Sequence, residues 1–149
     1  MEAKSEVELR VARLAGRDRL MRHLGLECVG AGPGRAAVSL VIRDDHLNFN
    51  GTCHGGAIFA LADSAFGLAS NSQGVIAAAI DAHITYQVAV RPGDTLTATA
   101  VEVSRSRKLG VYRVDVTRQD GALVSSFTGT VYVTERANEG ADASRSRGP

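Results

Sequence analysis

The stretch CHGGAIFALADSAFGLASNSQG, residues 53–74, decides the fold. From Gly55 to about Ser70 it carries Ala, Ile, Phe, Leu and Gly almost all round, the pattern of a helix buried on most faces rather than laid on a surface. One carboxylate, Asp63, interrupts it. On a 3.6-residue period Asp63 shares a face with Phe59, Phe66 and Ser70, so the charge is expected in a largely apolar neighbourhood. Desolvation there raises a carboxylate's pKa and makes it a better base, whereas a site without any hydrogen-bond donor simply neutralises it. A structural Asp bonded to a backbone group or to Ser64 fits the same pattern.

Upstream of this helix, Val7, Val11, Leu14, Met21 and Leu24 recur at helical intervals, and Gly25 makes a stop. This predicts an amphipathic helix over residues 1–24, broken near Gly16. After the turn in GAGPGR, the run AAVSLVIR predicts a strand, and DDHLNFNGTCHGG a polar loop. Downstream, VIAAAIDAHITYQV, DTLTATAVEVS, LGVYRVDVTRQ and ALVSSFTGTVYVT predict four strands. RPGD, SRSRK and QDG join them in turn, which favours an antiparallel meander. Leu96, Ala98 and Ala100 alternate with Thr95, Thr97 and Thr99, so one face of that strand should meet the core. The main domain spans residues 25–134, and the tail, 135–149, has no apolar periodicity and is expected to be disordered. The fold class is α+β, a curled antiparallel sheet wrapped around one buried helix.

The composition excludes several function classes. Seventeen Lys and Arg against sixteen Asp and Glu give a net charge of +1, so no global charge points to nucleic acid or an anionic membrane. No apolar run reaches the ~18 residues of a membrane span, and the opening MEAKSEVELR is charged where a signal peptide is apolar, so a cytoplasmic protein is expected. Cys28 and Cys53 are too few for a disulfide framework, and neither they nor His46 and His83 show metal-ligand spacing. No metal and no cofactor are expected.

The chain resembles the hotdog-fold thioesterases, specifically the phenylacetate-degradation (PaaI-type) acyl-CoA thioesterases. The likeness runs through NFNGTCHGGAIFALADSAFGLASNSQG and the later RPGD and FTGT segments, in order. It implies hydrolysis of an aryl- or arylacetyl-CoA such as phenylacetyl- or hydroxyphenylacetyl-CoA, with coenzyme A entering as part of the substrate, and a homodimer that pairs again into a homotetramer. Medium-chain acyl-CoA remains an alternative substrate. A noncatalytic acyl-CoA-binding module and a hotdog dehydratase are the alternative functions.

Thioester hydrolysis needs a nucleophile and a donor for the developing oxyanion. Gly55 and Gly56 open the core helix, where backbone N–H groups lack intrahelical partners and the macrodipole favours negative charge. Asp63 lies about 12 Å farther along the same helix at ~1.5 Å per residue. One thioester carbon cannot touch both, so two subunits must share each site across a two-fold interface. The resemblance implies that Asn48 orients the attacking water or the carbonyl; a turn-stabilising Asn is the alternative. It gives His54 a supporting role in fixing the loop, and places Ser70 near the acyl group, where a small residue at a tight helix contact serves equally. Arg91, Arg105, Arg107 and Lys108 are candidates for the CoA phosphates, against a plain solvated hairpin tip. Phe49, Phe59 and Phe66, with Tyr86, are candidate pocket walls.

Overall fold

The computed structural model describes residues 3–138. Two short helices lead in. Helix α1, Glu6–Arg17, starts at Ser5, whose Oγ accepts the Glu8 N–H at 3.1 Å. Asp18 ends α1 and begins α2, Arg19–Leu24, its carboxylate accepting the Met21 N–H at 3.0 Å. The break therefore falls at Asp18 rather than Gly16, because a side chain that caps a new helix is worth more there than mere flexibility. Gly25 closes α2 in the left-handed region, φ 80°, as expected of a C-terminal glycine.

Six antiparallel strands follow: β1 Glu27–Gly32, β2 Arg35–Val41, β3 Val75–Tyr86, β4 Thr95–Arg105, β5 Leu109–Arg118 and β6 Leu123–Ala137. Strand β1, with the weakly patterned sequence ECVGAG, was not anticipated; it pairs only with β2, at a sheet edge. The order is β1-β2-β4-β5-β6-β3, so only β4, β5 and β6 form the expected meander. β3 pairs with β6, not with β4. The RPGD turn does not close a hairpin between them. Its Gly93 N–H bonds the Ile42 carbonyl and the Ile42 N–H bonds Asp94, each at 2.9 Å, which delivers β4 alongside β2.

Between β2 and β3 runs α3, Gly55–Ser70, packed against β2, β4 and β5 by a sheet that curls around it. Leu96, Ala98 and Ala100 are fully buried beneath it, as their alternation required. Phe66 of α3 packs edge-on against Tyr112, with Phe127 beside it. Gly129 makes room for this cluster: a Cβ there would stand 2.7 Å from the Phe66 ring. The segment SNSQG ties off the far end of α3. Asn71 bonds the Gly67 carbonyl and both backbone groups of Ala77, while Ser72 accepts the Gly34 N–H and donates to the Ala69 carbonyl.

The expected tail begins later than residue 135. Strand β6 runs to Ala137, and buried Asn138 donates to the Asn71 and Val75 carbonyls. The rest of that tail lies outside the described residues. Among the described residues no helix is long and apolar enough to cross a membrane.

Candidate active site

Helix α3 holds the candidate groups at its N-terminus and at mid-length. His54 is its N-cap: the ring Nδ1 accepts the Gly56 N–H at 2.8 Å, which fixes the neutral ring's proton on Nε2. The Gly56 amide is thereby consumed. Gly55, at the first helical position, keeps an N–H with no intrahelical acceptor, at the positive end of the helix dipole. Tyr86, at the end of β3, donates its hydroxyl to the Gly55 carbonyl at 3.1 Å. Its ring lies where a Gly55 Cβ would come within 3.3 Å. Glycine suits this position by close approach, not by an unusual dihedral, since a side chain would ask the half-exposed Tyr86 ring to give by a few tenths of an ångström. The Gly55–Tyr86 pair opens onto a cleft of about 270 Å³ completed by Gln87 and Val88.

Asp63 stands two turns along α3, and its environment differs from the expected one. Phe66 and Ser70 are buried against the sheet, whereas Asp63 lies on the outer stripe with Gly56, Ala60 and Gly67. An exposed stripe centred a few tens of degrees from the predicted face accounts for the difference. The carboxylate lines a second cleft, of about 360 Å³, walled on the opposite side by α1 and α2. Burial on that side raises the Asp63 pKa, and the nearby Asp18 charge raises it further. The apolar neighbours come from the N-terminal helices rather than from the two phenylalanines of its own.

The other expected residues divide. Asn48 folds inward on its loop: Oδ1 accepts the Asn50 and Thr52 N–H groups at 2.9 and 3.3 Å, and Nδ2 donates to the Thr52 hydroxyl. Ser70 donates back to the Gly67 carbonyl at 3.2 Å and is buried. Within the chain both hold backbone. Phe66 is core, and Phe59 stacks edge-on against Phe127 at 5.6 Å. Phe49 is 98% exposed at the loop tip. None of the three lines either of these clefts within one chain.

The basic residues do not form one cluster. Arg91 lies in the RPGD turn ahead of β4 and Arg105 at the far end of that strand, which is itself about 30 Å long at ~3.3 Å per residue. Arg105 is turned into the fold: Nη1 donates to the Tyr112 hydroxyl at 3.0 Å and to the Ser70 carbonyl at 3.3 Å. Tyr112 donates to Glu102 at 2.7 Å, and burial with that carboxylate pushes its pKa up to about 12. Arg91, Arg107 and Lys108 are exposed. Cys53 is a buried free thiol whose pKa is pushed up to about 11, which disqualifies it as a nucleophile. Among the described residues no group of three or more His, Cys, Asp or Glu side chains could hold a metal ion.

Residues 50–125, which include all of α3 and most of the sheet, match the Thioesterase superfamily. The acyl-coenzyme A thioesterase PaaI of Escherichia coli is 37% identical over 112 residues, 75% of this chain and 80% of its own length. The chain belongs to the thioesterase superfamily, in its PaaI-type branch. The structure of the E. coli PaaI protein from the phenylacetic acid degradation operon superposes with a TM-score of 0.86 at 31% identity, covering 88% of this chain and 95% of that one. This identifies the curled sheet around α3 as a hotdog fold. A putative esterase of Archaeoglobus fulgidus is 42% identical over 82% of this chain and 77% of its own length. Smu.793 of Streptococcus mutans, solved bound to acetyl CoA, superposes with a TM-score of 0.72 at 34% identity, over 74% of this chain and 90% of that one.

As a PaaI-type thioesterase the chain is an enzyme; of the residues lining the two clefts, Tyr86 was expected only as a pocket wall and Asp18 was not expected at all. Tyr86 was legible only as one aromatic among several, because its contact with Gly55 depends on where β3 ends. Asp18 carried a usable signal, an Asp three residues before Met21 in a helical pattern, which is an N-cap signature.

Proposed function

We propose that this chain hydrolyses acyl-CoA thioesters with an aryl or arylacetyl group, Asp63 acting as general base or nucleophile and the Gly55 amide polarising the carbonyl. The observation that carries this reading is the placement of a carboxylate with a raised pKa and an uncommitted N-terminal amide on one helix. In the water route, Asp63 takes a proton from water as its oxygen bonds the carbonyl carbon, and the oxyanion forms against the Gly55 N–H. Collapse breaks the C–S bond and releases CoA as the thiolate, leaving the carboxylic acid. In the direct route the Asp63 carboxylate attacks and water then cleaves the anhydride. Neither route needs a metal or cofactor; coenzyme A is part of the substrate.

The ~12 Å between Gly55 and Asp63 along α3 supports drawing the two groups of one site from different subunits, since one thioester carbon cannot reach both on the same helix. Strand β3 supports that pairing: it is a sheet edge, residues 78–83 are exposed, and Ile80 is 60% exposed. Such an edge is a template for a second strand. A homodimer with two shared sites follows, and the family resemblance extends it to a tetramer. Arg91, Arg107 and Lys108 remain the CoA-phosphate candidates, while Arg105 serves the fold. The aryl preference rests on kinship with a protein of the phenylacetic acid degradation operon.

The test is thiol release from phenylacetyl-, hydroxyphenylacetyl-, benzoyl- and aliphatic CoA thioesters by wild type and Asp63→Asn. Release that peaks on arylacetyl groups and falls by about 10²-fold or more in the variant is expected, in line with the loss of a general base. Turnover unchanged in Asp63→Asn would sink the mechanism. No release from any thioester would turn the reading toward a noncatalytic acyl-CoA-binding module.

A further inference from the structure

The cleft over Asp63 has one wall that the superfamily match does not include. Residues 50–125 supply α3, with Ala60, Gly67 and Leu68 along the inner wall, but Leu14 of α1 and Leu20 of α2, with Arg17 and Asp18 between them, make the outer one. Two features mark the space between them as fitted for an apolar group. Leu20 is 57% exposed, although its neighbour Met21 is buried in the core, so the fold itself does not pack it. Gly67 faces open space, for a Cβ added there meets no atom within 4 Å. A helix-interior glycine costs roughly 1 kcal/mol relative to Ala. At Gly67 neither a positive φ nor a close backbone contact accounts for it.

We propose that the acyl group of the substrate lies in this cleft between α1–α2 and α3, and that Leu20 and Gly67 set the size of group it takes. The assignment rests on the proposed thioesterase reaction and deepens it. Asp63 lies in the same cleft, so a thioester carbon brought to the carboxylate carries its acyl substituent directly into the space beside Gly67. The volume of about 360 Å³ lies within the 300–1,000 Å³ typical of small-molecule sites. The leucines and small residues of these walls suit an uncharged ring or chain, while the charged part of the lining, Asp63 and Asp18 beside Arg17, carries more acid than base and so does not favour a phosphate. The CoA portion must then leave toward the Gly55–Tyr86 cleft of the other subunit. Selectivity for the acyl group is in this way written in the N-terminal helices, a segment the superfamily match leaves free to differ.

The test reads binding rather than turnover. A hydrolysis-resistant phenacyl thioether of CoA and CoA itself are titrated calorimetrically into wild type, Gly67→Leu and Leu20→Phe. Leucine is a good helix former, and Leu20 is exposed, so both variants should fold; circular dichroism and thermal melts check this. Wild type should bind the aryl thioether at least about tenfold tighter than CoA, and filling the cleft from either wall should abolish that difference while CoA affinity stays within about twofold. An aryl preference that is absent in wild type, or survives in a folded filled variant, overturns the assignment. Loss of the preference in a protein that releases no thiol from any thioester would keep the acyl site and remove the proposed reaction. Asp63-dependent turnover with the preference intact in the filled variants would remove the acyl site alone.

Discussion

Asp63 is the single acidic residue of α3, and its cost to the fold bears directly on the role proposed for it. Its pKa is raised by burial, so the protonated form is favoured more in the folded chain than in the unfolded one. The stability tied to this group is greatest below the unfolded carboxylate value and falls as pH rises through the raised folded value. Asp63→Asn removes that penalty. Its melting temperature at neutral pH is expected to equal or exceed that of wild type, the difference closing in acid, even as activity is lost; a markedly lower melting temperature at neutral pH would mark Asp63 as structural. The charge of Asp18 adds to the upward shift, and Arg17 also lines the cleft. Asn caps a helix as well as Asp does, so Asp18→Asn keeps α2 and removes the repulsion. The acid limb of kcat/KM should move to lower pH, and an unmoved limb would show that Asp18 does not tune the base. At the other end of the proposed site, Gly55→Pro deletes the amide at a first helical position whose backbone accepts proline, the extended His54 suits a following proline, and the half-exposed Tyr86 ring needs to give by only a few tenths of an ångström. A fall in kcat of about 10²–10³ is expected with helix content unchanged, whereas wild-type turnover would remove the amide from the mechanism.

At the scale of elements, α3 was legible because its apolar content is continuous, and the capping glycine of α2 because Gly25 follows a clean periodic run. The face of α3 was less so. Predicting that Asp63 sits with Phe66 and Ser70 required knowing which side meets the sheet, and a helix apolar nearly all round does not declare it. Short turns were read as hairpins; SRSRK and QDG are, but RPGD binds back to Ile42 and sends β4 to β2. Charge on a turn likewise says nothing of direction: Arg105 reaches inward to Tyr112 and the end of α3, while Arg107 stays in solvent. The packing of α3 gives its own test. Gly129→Ala places a methyl 2.7 Å from the Phe66 ring, and overpacking of that kind costs about 1–3 kcal/mol. Urea denaturation should show that loss; an unchanged midpoint would mean the aromatic cluster shifts freely.

For the whole molecule, the chain as folded presents an open sheet edge and, on the proposed shared-site reading, half of each reaction centre. β1 closes one edge against α1, while β3 leaves the other open, with Ile80 and its neighbours exposed. Ile80→Lys should block strand addition at that edge, giving a folded monomer by sedimentation that turns over no thioester. An active monomer would contradict the shared site. The most direct measurement co-expresses Asp63→Asn and Gly55→Pro chains with distinct tags and assays thiol release by the mixed assembly. If each centre takes Asp63 from one subunit and Gly55 from the next, random mixing restores about one quarter of wild-type activity, because one pairing in four joins two intact groups. If both groups act within one chain, the mixture shows no more activity than the two variants assayed apart, and the shared-site account fails.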